Sequence, residues 1–275
     1  MAYKKINWEN SPSTQTPISA ENLRHMDEGI ADAHNQSMYT NNVPTVSALG
    51  GISVGTTFDN MPVTTLLTKL LYPYVAPVVS ASSSPNGGTY EKGVSVNVTK
   101  ITVSVTKKSE DITKVEVFDG STPLGSKTDG STGSLAFTVN RAVTSNKSFT
   151  AKVTDKSNNT IQASTGLFNF VYPYYFGVID VPTPTETIVK NLSKIIEAKG
   201  NKSKQFSPNN QFMVFAYPEV YGNLKRILDP NSFEVLSTWK KYVLPIVGLD
   251  GTSQPYNVYV SKQVTVSDYK MTFQY

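Results

Sequence analysis

Val94-Ser95-Val96-Asn97-Val98-Thr99-Lys100-Ile101-Thr102-Val103-Ser104-Val105 decides how the middle of this chain folds. Apolar residues fall at every second position, the pattern of a strand with one face in a core and one in water. Val94, Val96 and Val98 keep one phase, and Ile101, Val103 and Val105 keep another. The slip of one residue between Val98 and Ile101 predicts a bulge or a change of strand. Outward from this stretch the alternation recurs at Val115/Val117, Leu135/Phe137/Val139, Phe149/Ala151/Val153 and Phe168/Phe170. Turn sequences separate the runs: Pro85-Asn86-Gly87-Gly88, Asp119-Gly120, Asp129-Gly130 and Asn158-Asn159. About seven short strands over residues 78–171 predict an immunoglobulin-like β-sandwich. With no cysteine in the chain, the domain lacks the Cys…Trp…Cys core of antibody domains.

The flanks differ. In residues 1–77 a helix is expected from Ser19, as N-cap, to about Gln36, with Ile18 and Leu23 placed as a hydrophobic staple. Its apolar positions Leu23, Met26, Ile30 and Ala33 are spaced 3, 4 and 3 apart, the a/d seam of a coiled coil. They are the candidate oligomer interface; the alternative is a short helix lying on its own domain. Residues 37–61 read as loop with short extended pieces. A second helix is predicted over Val63–Leu71, with Leu66, Leu67, Leu70 and Leu71 as its apolar face. Tyr72-Pro73-Tyr74 follows it, and Tyr172-Pro173-Tyr174 repeats the phrase 100 positions on, so the two mark domain junctions. Residues 172–275 read as a small α+β or β-sandwich domain. Expected there are a helix over Glu186–Ala198, a short helix over Val220–Leu228, a hairpin turn at Asp250-Gly251, and strands near Gln211–Tyr217, Thr238–Val247, Tyr256–Ser261 and Tyr269–Tyr275. The expected fold is therefore mainly β with a few helices: an N-terminal helical attachment region, the sandwich, and a small β-rich C-terminal domain.

Composition narrows the function. Of 275 residues 17% are charged, against about 25% in ordinary globular domains, while Ser, Thr and Asn together number 80. The absence of cysteine removes disulfides, thiolate nucleophiles and Cys-built metal sites. His25 and His34 are nine residues apart, not the four that put two imidazoles on one helical face. No Gly-x-Ser-x-Gly elbow, phosphate loop or dinucleotide fingerprint occurs. The pairs Asp27-Glu28 and Glu110-Asp111 are adjacent in sequence, which does not set two carboxylates across a cleft. No catalytic, cofactor-binding or metal-binding residue is therefore assigned. The net charge of +4 is spread along the chain and only three residues are arginine, so no nucleic-acid partner is expected. No run approaches the ~18 apolar residues of a membrane span, and no apolar signal core follows the opening residues. A soluble protein made in the cytosol is expected. Two aromatic groups stand out. Tyr172, Tyr174, Tyr175 and Phe176 suggest junction packing. Trp239, Tyr242, Tyr256 and Tyr259 are candidate surface-binding aromatics, able to stack on sugar rings, with core packing as the competing reading.

The opening Lys5-Ile6-Asn7-Trp8-Glu9-Asn10-Ser11-Pro12-Ser13-Thr14-Gln15-Thr16-Pro17-Ile18, through Met26-Asp27-Glu28-Gly29-Ile30, resembles the start of tail-fibre, baseplate and receptor-binding proteins of tailed bacteriophages. Met61-Pro62-Val63-Thr64 to Tyr72-Pro73-Tyr74-Val75-Ala76-Pro77, leading into Asn86-Gly87-Gly88-Thr89-Tyr90, is similar to phage structural proteins with an immunoglobulin-like module. Phe215-Ala216-Tyr217-Pro218 and Leu228-Asp229-Pro230 resemble C-terminal domains of the same class. The resemblance implies a non-enzymatic virion component, assembled in the host cytoplasm and usually a homotrimer. It would dock on other virion proteins through its N-terminal segment and turn its later domains outward, toward neighbours or a host-surface glycan or protein. The central stalk of long fibres is missing, which leaves a short tail fibre, a baseplate component, or a collar or head fibre. The alternative is a carbohydrate-binding adhesin module on a bacterial surface, and a third class is a glycan-degrading depolymerase.

Overall fold

The computed structural model describes residues 20–36, 38–39, 52–58, 61–128, 130 and 132–275. The Ser19 cap, the Ile18 staple and the opening phrase up to Ile18 lie outside them, as does Asp129 of the expected Asp129-Gly130 turn. The chain divides into two compact units, residues 1–76 and 77–275.

In the first unit α1 (Ala20–Gln36) and α2 (Val63–Leu71) form where the apolar spacing places helices. Between them β1 (Met38–Tyr39) pairs antiparallel with β2 (Met61–Pro62). No residue of α2 is buried: Leu66 and Leu70 are half-buried, and Leu67 and Leu71 are exposed.

The second unit begins with nine strands: β3 (Val78–Ser84), β4 (Gly88–Glu91), β5 (Val96–Thr106), β6 (Ile112–Asp119), β7 (Thr122–Thr128), β8 (Gly133–Val143), β9 (Thr150–Asp155), β10 (Thr160–Ser164) and β11 (Phe168–Val171). A three-stranded sheet, β3-β5-β8, and a four-stranded sheet, β10-β9-β6-β7, share one core, while β4 and β11 form a short parallel pair. This is an immunoglobulin-like sandwich in which β7 stays beside β6 instead of crossing to the other sheet. Val98, Ile101, Val103 and Phe137 meet Val115, Val117, Ala151 and Val153 across it. The expected bulge is present: the β5–β8 register shifts between Val98 and Lys100. It lets Val98 and Ile101 point inward although an odd number of positions separates them.

The rest of the unit holds β12 (Tyr174–Ile179), α3 (Glu186–Lys190), β13 (Ser193–Ile195), β14 (Lys202–Phe206), β15 (Phe212–Pro218), β16 (Arg226–Leu228), β17 (Trp239–Val247), β18 (Ser253–Ser261) and β19 (Tyr269–Gln274). A five-stranded sheet, β13-β12-β15-β18-β17, is covered on one face by a three-stranded sheet, β14-β19-β16. Its other face packs on Val189 of α3 and on Tyr172. The central strand β15 is buried on both faces from Met213 to Pro218, which is why it reads as an unbroken apolar run.

Two expected helices are corrected here. The helix over Glu186–Ala198 stops at Lys190, capped at its start by the Thr185 hydroxyl, and Ser193–Ile195 becomes an edge strand on Tyr174–Phe176. Ile195 and Ile196 are β-branched, and the open edge of β12 offers Ile195 backbone partners as well as burial. Over Val220–Leu228 only a 3-10 turn, Glu219–Tyr221, forms. Gly222 at φ +83° ends it, and Arg226–Leu228 joins β19 as a strand.

The sandwich and the C-terminal sheets are joined tightly. The Lys194 ammonium lies 2.6 Å from the buried Glu91 carboxylate. The Tyr172 hydroxyl donates to Asp250 at 2.9 Å, and the Lys92 ammonium sits 4.7 Å from the centre of the Tyr172 ring. The Tyr256 hydroxyl donates to the Pro173 carbonyl at 3.0 Å.

Candidate functional surfaces

The α1 stripe is turned outward. Leu23 is half-buried, but Met26 is 62% and Ile30 51% exposed, and Ala33 is exposed too. Apolar side chains at a/d spacing left in water are what a partner helix covers. On the same helix His25 lies 3.7 Å from Glu28, with both side chains largely in solvent, so the histidine is a surface group.

The aromatic set proposed for surface binding is corrected. Trp239, Tyr256 and Tyr259 are buried, and Tyr242 is half-buried. Trp239 meets the Phe273 ring edge-on at 5.6 Å, and Tyr259 stacks on Tyr217 at 6.0 Å. Tyr256 packs against Tyr175 on the opposite face of the sheet, where the Tyr242 hydroxyl donates to the Pro182 carbonyl at 2.9 Å. The physical reason is strand parity. Residues 239 and 242, like 256 and 259, are three apart on a strand and must point to opposite faces. With both faces covered, the four rings build two cores instead of one platform. The Tyr172–Phe176 group is core and junction: Tyr172, Tyr174 and Tyr175 are buried, and Phe176 is half-buried. Burial raises the hydroxyl pKa of Tyr174 and of Tyr175 to about 12, because the phenolate would lose its hydration.

Two carboxylates of the sandwich are each taken up by a lysine. Asp111 is bound by Lys107, whose hydrogen bond and charge hold it below the ordinary carboxylate range, and Asp119 pairs with Lys147 at 2.6 Å. Among the described residues no three His, Asp or Glu side chains gather as a metal site would require. No described helix is long and apolar enough to cross a membrane.

A cavity of about 390 Å³ opens between the two C-terminal sheets, in the range of small-ligand sites. Met213, Trp239 and Ser261 line it from the five-stranded sheet, Tyr269 and Met271 from β19, and Thr265 from the connecting loop. None of these but Trp239 was singled out in the sequence. They come from separated strand ends, so no local motif marks them.

No family model matches the chain, and no curated protein matches its sequence. Among solved structures, fibronectin(III)-like modules of CbhA from Clostridium thermocellum are similar at 14% identity and a TM-score of 0.28, over 69% of this chain and 77% of that one. The chain carries an immunoglobulin-like β-sandwich domain within a mainly β architecture, as its own two sheets around one core show.

Proposed function

We propose that this protein is a non-enzymatic structural component of a phage particle, a short tail fibre, baseplate or collar/head-fibre protein. Residues 1–77 anchor and oligomerise it, and the β-domains face outward for assembly or host-surface contact. The outward stripe of α1 carries the reading: Met26 and Ile30 stand in water in one copy and are covered when three copies wind together. The resemblance of the opening residues to phage fibre and baseplate proteins supports it. The rigid joint at Tyr172 supports it too, because a joined pair of β-bodies keeps its reach when mounted on a particle. The adhesin reading loses its proposed aromatic platform, whose rings are in the core.

Light scattering on the full chain at micromolar concentration tests this. The expected mass is three times the 30.1 kDa chain, falling to one chain in Ile30→Asp with the helical circular dichroism largely kept. A wild-type monomer with α1 intact overturns the trimer. Electron microscopy of particles carrying the labelled protein tests its place in a virion; particles without label overturn the virion assignment.

A further inference from the structure

We propose that Asn86 is a self-modifying site. Its side-chain amide is lost through attack by the Gly87 backbone nitrogen, the Tyr90 hydroxyl speeds that attack, and the product loosens β4 from β11. The inference goes beyond the reading above and does not depend on it.

Asn86-Gly87 is the one place in the chain where glycine directly follows asparagine. With no side chain on Gly87, nothing on that residue shields its nitrogen from the Asn86 side chain. Asn86 is exposed. Gly87 lies just outside the β4–β11 ladder, which begins at Gly88 opposite Phe168, and its N–H finds no backbone acceptor among the described residues. The nucleophile therefore need not be freed from a backbone hydrogen bond first.

The attack requires the Gly87 N–H to lose its proton. The negative charge is then shared with the oxygen of the same peptide group, the Asn86 carbonyl. The Tyr90 hydroxyl donates to that oxygen at 3.0 Å. A donor already placed where charge develops lowers the barrier, because its bond strengthens as the acceptor becomes anionic. The Tyr90 ring is itself held by stacking, with its centre 5.9 Å from Phe168 and 5.7 Å from Phe170.

The bonds balance. Hydroxide takes the Gly87 amide proton, and the nitrogen bonds to Asn86 Cγ. The Cγ–Nδ2 bond breaks, and Nδ2 takes a proton from water and leaves as ammonia. Water then opens the cyclic imide. Addition at Cγ leaves aspartate; addition at the main-chain carbonyl carbon leaves isoaspartate, whose backbone runs through Cβ and Cγ. Overall one water is consumed, one ammonia is released, and a neutral amide becomes a carboxylate.

The surroundings set the consequence. Gly87 crosses Gly166 so closely that a Cβ on Gly87 would lie 2.3 Å from the Gly166 carbonyl carbon. Isoaspartate adds a methylene to the main chain and displaces Gly87 along a crossing with no spare room. The parallel β4–β11 pair starts at the next residue, and at its far end the Lys92 amide donates to the Val171 carbonyl at 2.9 Å.

The full-length protein is aged in mildly alkaline buffer and followed by peptide mass mapping and enzymatic methylation of isoaspartate. Asn86 should be the first asparagine converted. Tyr90→Phe keeps the stacked ring and should slow conversion about fivefold in the native protein, the worth of one hydrogen bond. In urea, where the hydroxyl leaves the carbonyl, the two proteins should convert equally. Asn86→Gln must close a larger ring and serves as the unconverted control. Against fresh samples of each, aged wild type should unfold at lower urea concentration and exchange its Lys92 amide faster, while aged Asn86→Gln should not change. An Asn86 that outlasts another asparagine overturns the inference. Native Tyr90→Phe converting as fast as wild type overturns the role of the hydroxyl, and converted wild type as stable as fresh protein overturns the link to the crossing.

Discussion

Replacing Gly93 by alanine probes the joint that makes residues 77–275 one unit. Gly93 follows β4 at φ +98°, and a Cβ built there would lie 2.4 Å from the Asp250 amide nitrogen and 2.6 Å from the Leu249 carbonyl carbon. Both are backbone atoms and cannot swing aside. Ordinary Cβ contacts begin at 3.4 Å, so the sandwich turn and the β17–β18 hairpin must part by about 1 Å. The positive φ alone costs about 1–2 kcal/mol for an L-residue. Parting the backbones also stretches the Tyr172–Asp250 hydrogen bond and the nearby Lys194–Glu91 pair. Weakening bonds of this charged kind adds about 2–3 kcal/mol. The expected loss is about 3–5 kcal/mol. Gly120→Ala is the control: its φ is +60°, and an added Cβ meets nothing within 4 Å, so only the backbone strain remains. Urea denaturation of both variants, with hydrogen exchange at the Thr252 and Lys92 amides, measures the difference. If Gly93→Ala costs no more than Gly120→Ala, the backbone contact does not hold the two β-bodies together and the reasoning fails.

Stability should fall in alkali. An unfolded tyrosine ionises near pH 10, whereas burial holds Tyr174 and Tyr175 neutral to about 12. The unfolded chain therefore loses protons first, and the stabilisation from these groups is complete below pH 10 and is lost as pH rises toward 12. At about pH 11 these two account for roughly 3 kcal/mol, and buried Tyr217 and Tyr256 and half-buried Tyr275 act in the same direction. Urea midpoints that stay flat up to about pH 11 would falsify this account. Lys194→Met leaves the buried Glu91 carboxylate without its ammonium and should cost about 2–3 kcal/mol, the exposed side of Lys194 keeping it below a fully buried pair. Adding Glu91→Gln should recover most of that loss in a double-mutant cycle, and a second loss of equal size would show that the pair is not coupled.

Much of the sandwich is legible in the sequence because each strand has one buried face, and a period of two then maps directly onto burial. Even the bulge near Thr99 is visible as a slip in that period. The C-terminal region is harder. Its main sheet is covered on both sides, so β15 has no polar face to give a period, and the apolar residues from Ile188 to Ile196 fit a helix stripe as well as they fit a helix turn followed by an edge strand. The misassigned aromatics had a signal that was available. Trp239 and Tyr242 are an odd number of residues apart on one strand, which forbids a shared platform. The cavity had none, since Met213, Trp239, Ser261 and Tyr269 sit on four different strands and meet only once both sheets assemble.

The repeated Tyr-Pro-Tyr phrase shows where local information ends. In both places the proline stiffens the chain and interrupts regular structure, and its position follows from residue type alone. Yet Tyr72 is 77% and Tyr74 42% exposed, while Tyr172 is 9% and Tyr174 0%. Nothing within the phrase distinguishes the two. The second pair is buried by distant elements: Asp250 and Lys92 reach Tyr172, and Phe215, Tyr217 and Tyr221 reach Tyr174. Backbone stiffness is a property of neighbouring residues, whereas burial is a property of contacts that only the assembled sheets supply.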